Sequence, residues 1–195
     1  MRSFGAALAQ ALVLCGLAAV FAPVDGPVYA LAVLSAALVA GETALAPEPS
    51  LPTAATHRAP GWAGPAVATG AGLLALQAAA VLVRWSVPPE VWSAGAALML
   101  MGGGLRLWAI HALGASFRTE HEVHEGQRLV RSGPYAFLRH PSELGLLIFA
   151  LGAAALTGSW PAAAIWVLVL LPSSLLRLRR EEAMLRAAFG PGYTA

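Results

Sequence analysis

Apolar stretches at residues 4–22, 27–46, 66–83, 91–110, 143–157 and 160–176 dominate this chain and leave little room for any fold but a membrane bundle. A helix needs about 20 mostly apolar residues to cross a bilayer, and a shorter one serves when other helices surround it. Hydrophobic residues make up 58% of the 195 positions and charged residues only 11%. Ordinary soluble domains carry about 25% charge, so one water-soluble core could not hide this much apolar surface. The mean hydropathy of +0.68 agrees. The reading is an all-α, polytopic integral membrane bundle, a single membrane domain over residues 1–195 with no separate soluble part.

Pro23-Val24-Asp25-Gly26-Pro27 is a tight turn after the first span, and the proline-rich residues 47–65 form a loop unsuited to helix. Gly158-Ser159-Trp160-Pro161 is short, so the last two spans are expected to form an antiparallel hairpin. The fifth span is short for a crossing and is expected to be tilted or shielded by its neighbours. The first span follows Met1-Arg2 and could be a cleaved signal sequence, but the spans after it need packing partners, so a retained helix is expected. Cys15, the sole cysteine, rules out an intramolecular disulfide and a cysteine zinc site.

All 12 basic residues are arginine, which with heavy Ala and Gly use suggests a GC-rich, bacterial source. With a cytoplasmic amino terminus, Arg2, Arg58, Arg118, Arg128, Arg131, Arg139, Arg177, Arg179, Arg180 and Arg186 fall inside, only Arg84 falls outside, and Arg106 lies within the fourth span. Ten against one follows the positive-inside rule and places both termini in the cytoplasm, in a cell membrane expected to be the bacterial inner membrane. It also puts the Arg118–Arg139 loop and the end of the chain on one face.

That face holds the densest polar chemistry. In residues 127–143, Gly133-Pro134 forces a turn and Tyr135 follows it. Arg139 and His140 precede Pro141, which suits the first turn of a helix. Ser142 and Glu143 then sit beside free backbone N–H groups at the positive end of the helix dipole. Such a place suits the carboxylate of an amino-acid-like cofactor. An Arg/His/Tyr belt snorkelling to lipid headgroups fits this segment equally well. After the last span, Arg177 and Glu181 lie four apart and share a helix face, while Glu182 lies about 100° around. Alone this reads as an amphipathic tail with a weak surface pair. Gly190-Pro191 ends that helix.

Taken together, the order of parts resembles the isoprenylcysteine carboxyl methyltransferase family and its relatives, the phospholipid N-methyltransferases. The residues that carry it are Leu129-Val130, Gly133, Tyr135, Arg139-His140-Pro141, the apolar hairpin, and Arg177, Glu181-Glu182, Leu185, Phe189-Gly190 and Tyr193. The likeness covers about residues 100–193. It implies a methyltransferase core in residues 91–195, accessory spans in residues 1–90, a C-terminal helical hairpin and a cytoplasmic terminal helix. It implies S-adenosyl-L-methionine as cofactor, held by Gln127, Arg128, Leu129, Val130, Tyr135, His140, Pro141, Ser142, Glu143 and Glu181. Arg177 would hold the acceptor, and Arg139 and Glu143 join it as candidate catalytic residues. The family commonly has Tyr where Glu143 stands here, and a Gln it places upstream falls near Glu120.

The activity implied is carboxyl O-methylation of a lipophilic, isoprenylcysteine-like acid, with membrane lipids and a prenylated or other lipophilic substrate as partners and no nucleic acid or metal. Methylation of a phospholipid amine or a thiol is the alternative, and a small transporter or assembly factor is the non-enzymatic one. Few ionisable groups lie mid-membrane to mark a transport path. Gly102-Gly103-Gly104 reads first as helix packing and second as a cofactor contact. Arg106 needs a partner, with Glu42 and Glu143 in reach. His111, His121 and His124 match no common zinc spacing, and no phosphate loop, G-x-S-x-G or zincin motif occurs.

Overall fold

The computed structural model describes residues 25–45, 55–58, 63–114, 122–124 and 130–189. Its helices are α1 (Gly26–Leu45), α2 (Ala63–Leu82), α3 (Pro89–Leu113), α4 (Pro141–Thr157) and α5, which runs without a break over Trp160–Phe189. Helices α1, α2, α3 and α5 are each long and apolar enough to cross a membrane, and α4 is shorter. The protein is thus a multi-pass membrane bundle. Five of the six expected spans are among these helices; the first lies outside the described residues.

Helix α4 has 17 residues, about 25 Å of helix. Its shortness is met by shielding, as expected, since much of it, from Pro141 to Thr157, is buried against neighbours. The closest neighbour is α3, because glycines remove the side chains that would hold the two helices apart. A Cβ on Gly102 would lie 2.4 Å from the Phe149 nitrogen, and one on Gly145 2.6 Å from the Gly102 oxygen. Two turns further along, Gly95 and Gly152 repeat the arrangement against Leu156 and Met99. In lipid, apolar surface alone gives helices no reason to associate, so such close packing supplies the attraction. Gly102 therefore has the packing role, whereas Gly104 has nothing within 4 Å among the described residues.

The hairpin between α4 and α5 follows from its sequence. Gly158 adopts φ +63°, the left-handed conformation that ends α4, and the Ser159 amide donates back to the Ala154 carbonyl at 3.0 Å. Ser159 then caps α5, accepting from the Ala162 amide at 3.3 Å, with proline in the first turn. Its hydroxyl also donates to the Ala79 carbonyl of α2 at 3.0 Å. At this same end of the bundle Arg84 pairs with Asp25, and Trp85 and Trp160 lie with ring centroids 6.0 Å apart.

The opposite end joins two loops. Ala55–Arg58 (β1) and Glu122–His124 (β2) pair as a short antiparallel ladder, with an irregularity between Ala55 and His57. Residues 47–65, expected as irregular loop, thus contain a strand, which packs against the polar half of α5. The terminal helix expected after the last span is present and continues that span directly. Helix α5 is one rod of 30 residues, about 45 Å long, with a π-helical segment at Trp166–Leu170. Within that segment Trp166 donates its ring N–H to the Leu147 carbonyl at 2.8 Å.

Gly102→Val and Gly145→Val should each force α3 and α4 apart and destabilise the bundle by more than the about 1–3 kcal/mol typical of overpacking. Gly104→Ala should be tolerated. Thermal unfolding of detergent-purified variants checks the contrast.

Candidate functional site

The loop-joined end of the bundle gathers the polar residues. Gly133 opens a 3₁₀ turn, Gly133–Ala136, at φ +61°. A Cβ there would lie 3.2 Å from that of Ala112, so the turn sits directly on the end of α3. This fixes Tyr135, whose phenol is pushed up to about 12, first by burial and then by the Glu181 carboxylate, with Arg106 pulling the other way. Tyr135 is therefore a neutral hydroxyl at any ordinary pH. Residues 46 positions apart in sequence, Tyr135 and Glu181, thus share one electrostatic environment.

The chain then reaches Arg139 and His140. His140 precedes the first residue of α4, Pro141, which is buried. His140 Nε2 lies 2.9 Å from Glu182 Oε1, and Arg139 lies 3.7 Å from Glu182 Oε2. Arg186 donates to the same carboxylate at 3.0 Å. So His140 is joined to Glu182, which the resemblance assigns no role. Arg139, expected among the catalytic residues, is 60% exposed at the rim.

Behind this rim lies a buried ion pair. Glu143 is only 3% exposed and contacts Arg177 of α5. Glu143 Oε1 and Arg177 Nε are buried and have no hydrogen-bond partner among the described residues. Arg177 also lies within electrostatic reach of Glu181 and Arg106. Arg106, the lone charge within its span, takes Glu42 as partner rather than Glu143, and it donates to the Ser142 carbonyl at 3.3 Å and hydroxyl at 3.2 Å.

The structure therefore brings Tyr135, Ser142, Glu143, Arg177 and Glu181 to one place, with His140 and Pro141 at its edge. Val130 is half-buried at the start of this segment. Gln127, Arg128 and Leu129 lie outside the described residues. Glu42 and Glu182 were not singled out as site residues from sequence. Glu42 did carry a signal: residues 27–46 and 91–110 hold one charge each, of opposite sign.

The sequence profile of the phospholipid methyltransferase family matches residues 91–192, just over half of the chain. The protein belongs to that family. It is 35% identical over 97 residues to the protein-S-isoprenylcysteine O-methyltransferase of Schizosaccharomyces pombe, a match covering 49% of this chain and 41% of that one. It is 38% identical over 64 residues to the uncharacterized protein YpbQ of Bacillus subtilis, covering 33% of this chain and 38% of that one. The chain thus spans about two fifths of the length of these relatives. In fold it is similar to a eukaryotic intramembrane Ras methyltransferase, an isoprenylcysteine carboxyl methyltransferase. The TM-score is 0.54 at 20% identity, over 95% of this chain and 63% of that one.

The His140–Glu182 contact ties the start of α4 to α5. A double-mutant cycle with His140→Ala and Glu182→Ala, read by thermal or denaturant unfolding, should give a coupling of about 1 kcal/mol. Additive effects would show that the contact does not hold the two elements together.

Proposed function

We propose that the protein transfers a methyl group from S-adenosylmethionine to a lipophilic acceptor at one membrane face. The acceptor favoured first is the carboxyl group of an isoprenylcysteine-like acid. The observation that carries this reading is the convergence of Tyr135, Glu143, Arg177 and Glu181 at one end of the bundle, in a chain of the phospholipid methyltransferase family.

The residues present fit an amino-acid-derived cofactor. Glu143 Oε1 is a buried acceptor without a partner among the described residues, suited to an amino group. The first turn of α4 has no side-chain cap, so its backbone N–H groups suit a carboxylate. Glu181 offers a second carboxylate for hydroxyl groups or positive charge, and Tyr135 a neutral hydroxyl. S-adenosylmethionine, when bound, supplies a methyl group on a sulfonium whose departure leaves a neutral thioether. What remains for the protein is to align the acceptor and keep water out. The 3₁₀ turn and the polar half of α5 would form the walls of such a site. A carboxylate acceptor needs no general base. The Arg177 Nε, without a hydrogen-bond partner among the described residues, is a donor that could orient such an acid.

One contact favours a second reading, in which the acceptor is a neutral amine or thiol. Arg177 already faces the Glu143 carboxylate. An acid bound to Arg177 would compete with Glu143 and leave a buried charge short of its partner, which is unfavourable. An uncharged acceptor avoids that conflict, and its proton could pass to Glu143 or His140. On either reading the ten-to-one arginine distribution supports a cytoplasmic site, with residues 91–195 as the core and the preceding spans as accessory.

S-adenosylmethionine and S-adenosylhomocysteine should each raise the unfolding temperature of the detergent-purified protein. Saturation at 100 times the dissociation constant corresponds to about 2.7 kcal/mol. Glu181→Ala should lose at least tenfold in affinity while remaining folded. Transfer of a labelled methyl group to a prenylcysteine analogue, an aminophospholipid and a lipophilic thiol then separates the acceptor readings. Absence of stabilisation by both cofactors would overturn the enzyme reading itself.

A further inference from the structure

Glu42 belongs to α1, outside the residues that match the family profile, yet it reaches the site. Its place is unfavourable on its own terms. It sits in the last turn of a helix, where a carboxylate meets the negative end of the helix dipole. Arg106, within α3, is equally unfavourable without a partner. The two ions meet side-on: Arg106 Nε donates to Glu42 Oε1, and Nη2 donates to Oε2 at 3.3 Å. The remaining nitrogen, Nη1, donates to the carbonyl and hydroxyl oxygens of Ser142. All three guanidinium nitrogens are thus engaged, and Arg106 is fixed between α1 and the first turn of α4. The pair is mostly shielded, with side-chain exposures of 14% and 29%.

Besides the rim ions Arg139, Arg186 and Glu182, the charges gathered at the site are Arg106 and Arg177 against Glu42, Glu143 and Glu181. Loss of Glu42 makes their sum one unit more positive. We propose that Glu42 is a positioning residue that holds Arg106 on Ser142 and cancels its charge, so that the site favours a cationic sulfonium donor over the uncharged thioether product. This rests on the methyl-donor reading above and adds what that reading does not contain. A residue of an accessory span sets donor-over-product preference without touching either molecule. S-adenosylmethionine and S-adenosylhomocysteine differ at the sulfur by a methyl group and its positive charge, so the ratio of their affinities reports the field at that point. A residue with only a structural role would weaken both alike.

The experiment measures both dissociation constants by calorimetry on the full chain in nanodiscs, for the parent, Glu42→Gln, Glu42→Asp and Arg106→Gln. Glu42→Gln should lower the preference for S-adenosylmethionine roughly three- to tenfold, as expected for one uncompensated charge nearby in a medium between protein and water. Glu42→Asp should restore most of it, and Arg106→Gln should shift the ratio the opposite way. Equal weakening of both ligands by Glu42→Gln, or no change, overturns the proposal. Should Glu42→Gln fail to fold, Arg106→Gln decides, since a ratio that is unchanged or falls overturns it equally. A parent that binds neither ligand overturns the donor reading itself, a different result from binding both with an indifferent ratio.

Discussion

The backbone contact between α3 and α4 sets the geometry of everything at the polar end. Gly95 and Gly102 on one helix meet Gly145 and Gly152 on the other, spaced two helical turns apart. With no Cβ between them, carbonyl and amide groups of the two helices come into direct contact, and the axial register has no slack. A Cβ on Gly145 would lie 2.7 Å from the Arg106 backbone nitrogen, so this register also delivers Arg106 to the first turn of α4. A bundle joined by large flexible side chains could slide. This one cannot slide without driving backbone into backbone.

Placed in a bilayer, that rigidity lets the chain carry charge near the ends of its spans. Three ion pairs join different elements at these ends: Arg84 with Asp25, beside the ends of α2 and α1, and Arg106 with Glu42 and Arg177 with Glu143 at the other end. Each pair answers the penalty of an isolated charge in or near hydrocarbon. At the loop-joined end the pairs stand beside groups left over from such pairing, the Glu143 Oε1 acceptor and the Arg177 Nε donor. A buried donor and acceptor without partners are costly in a purely structural core. Among the described residues these two have none, and they stand beside Tyr135 and Glu181.

Much of the architecture was legible in the sequence because hydropathy alone determines where a membrane helix can lie. Residues 27–46 and 143–157 as read correspond to Gly26–Leu45 and Pro141–Thr157 as found. Gly158 and Ser159 announced the hairpin through turn and cap chemistry that is local. The β ladder was not legible, because pairing Ala55–Arg58 with Glu122–His124 depends on where two distant polar loops meet. How the last span joins the terminal helix was not legible either: Pro172 stands at the junction, where a proline would ordinarily kink or end a helix, yet the helix continues through it after the π-helical segment. In the site, Tyr135 and Glu181 could be named together from the resemblance, but His140 joining Glu182 could not. A π-helical segment at Trp166–Leu170 offsets the 3.6-residue phase between the span and the polar half of α5. Counting helical phase from sequence cannot detect that offset.

On the proposed reading, one end of this bundle, built from the 3₁₀ turn, the start of α4 and the polar half of α5, binds the methyl donor. Photo-crosslinking with an azido-adenosyl derivative of S-adenosylhomocysteine, followed by peptide mapping, tests it most directly. Labelling should fall on residues 130–143 and 177–189 and be blocked by excess S-adenosylmethionine. Competable labelling confined to the Arg84–Trp92 end would put the donor at the opposite face and rule out this site.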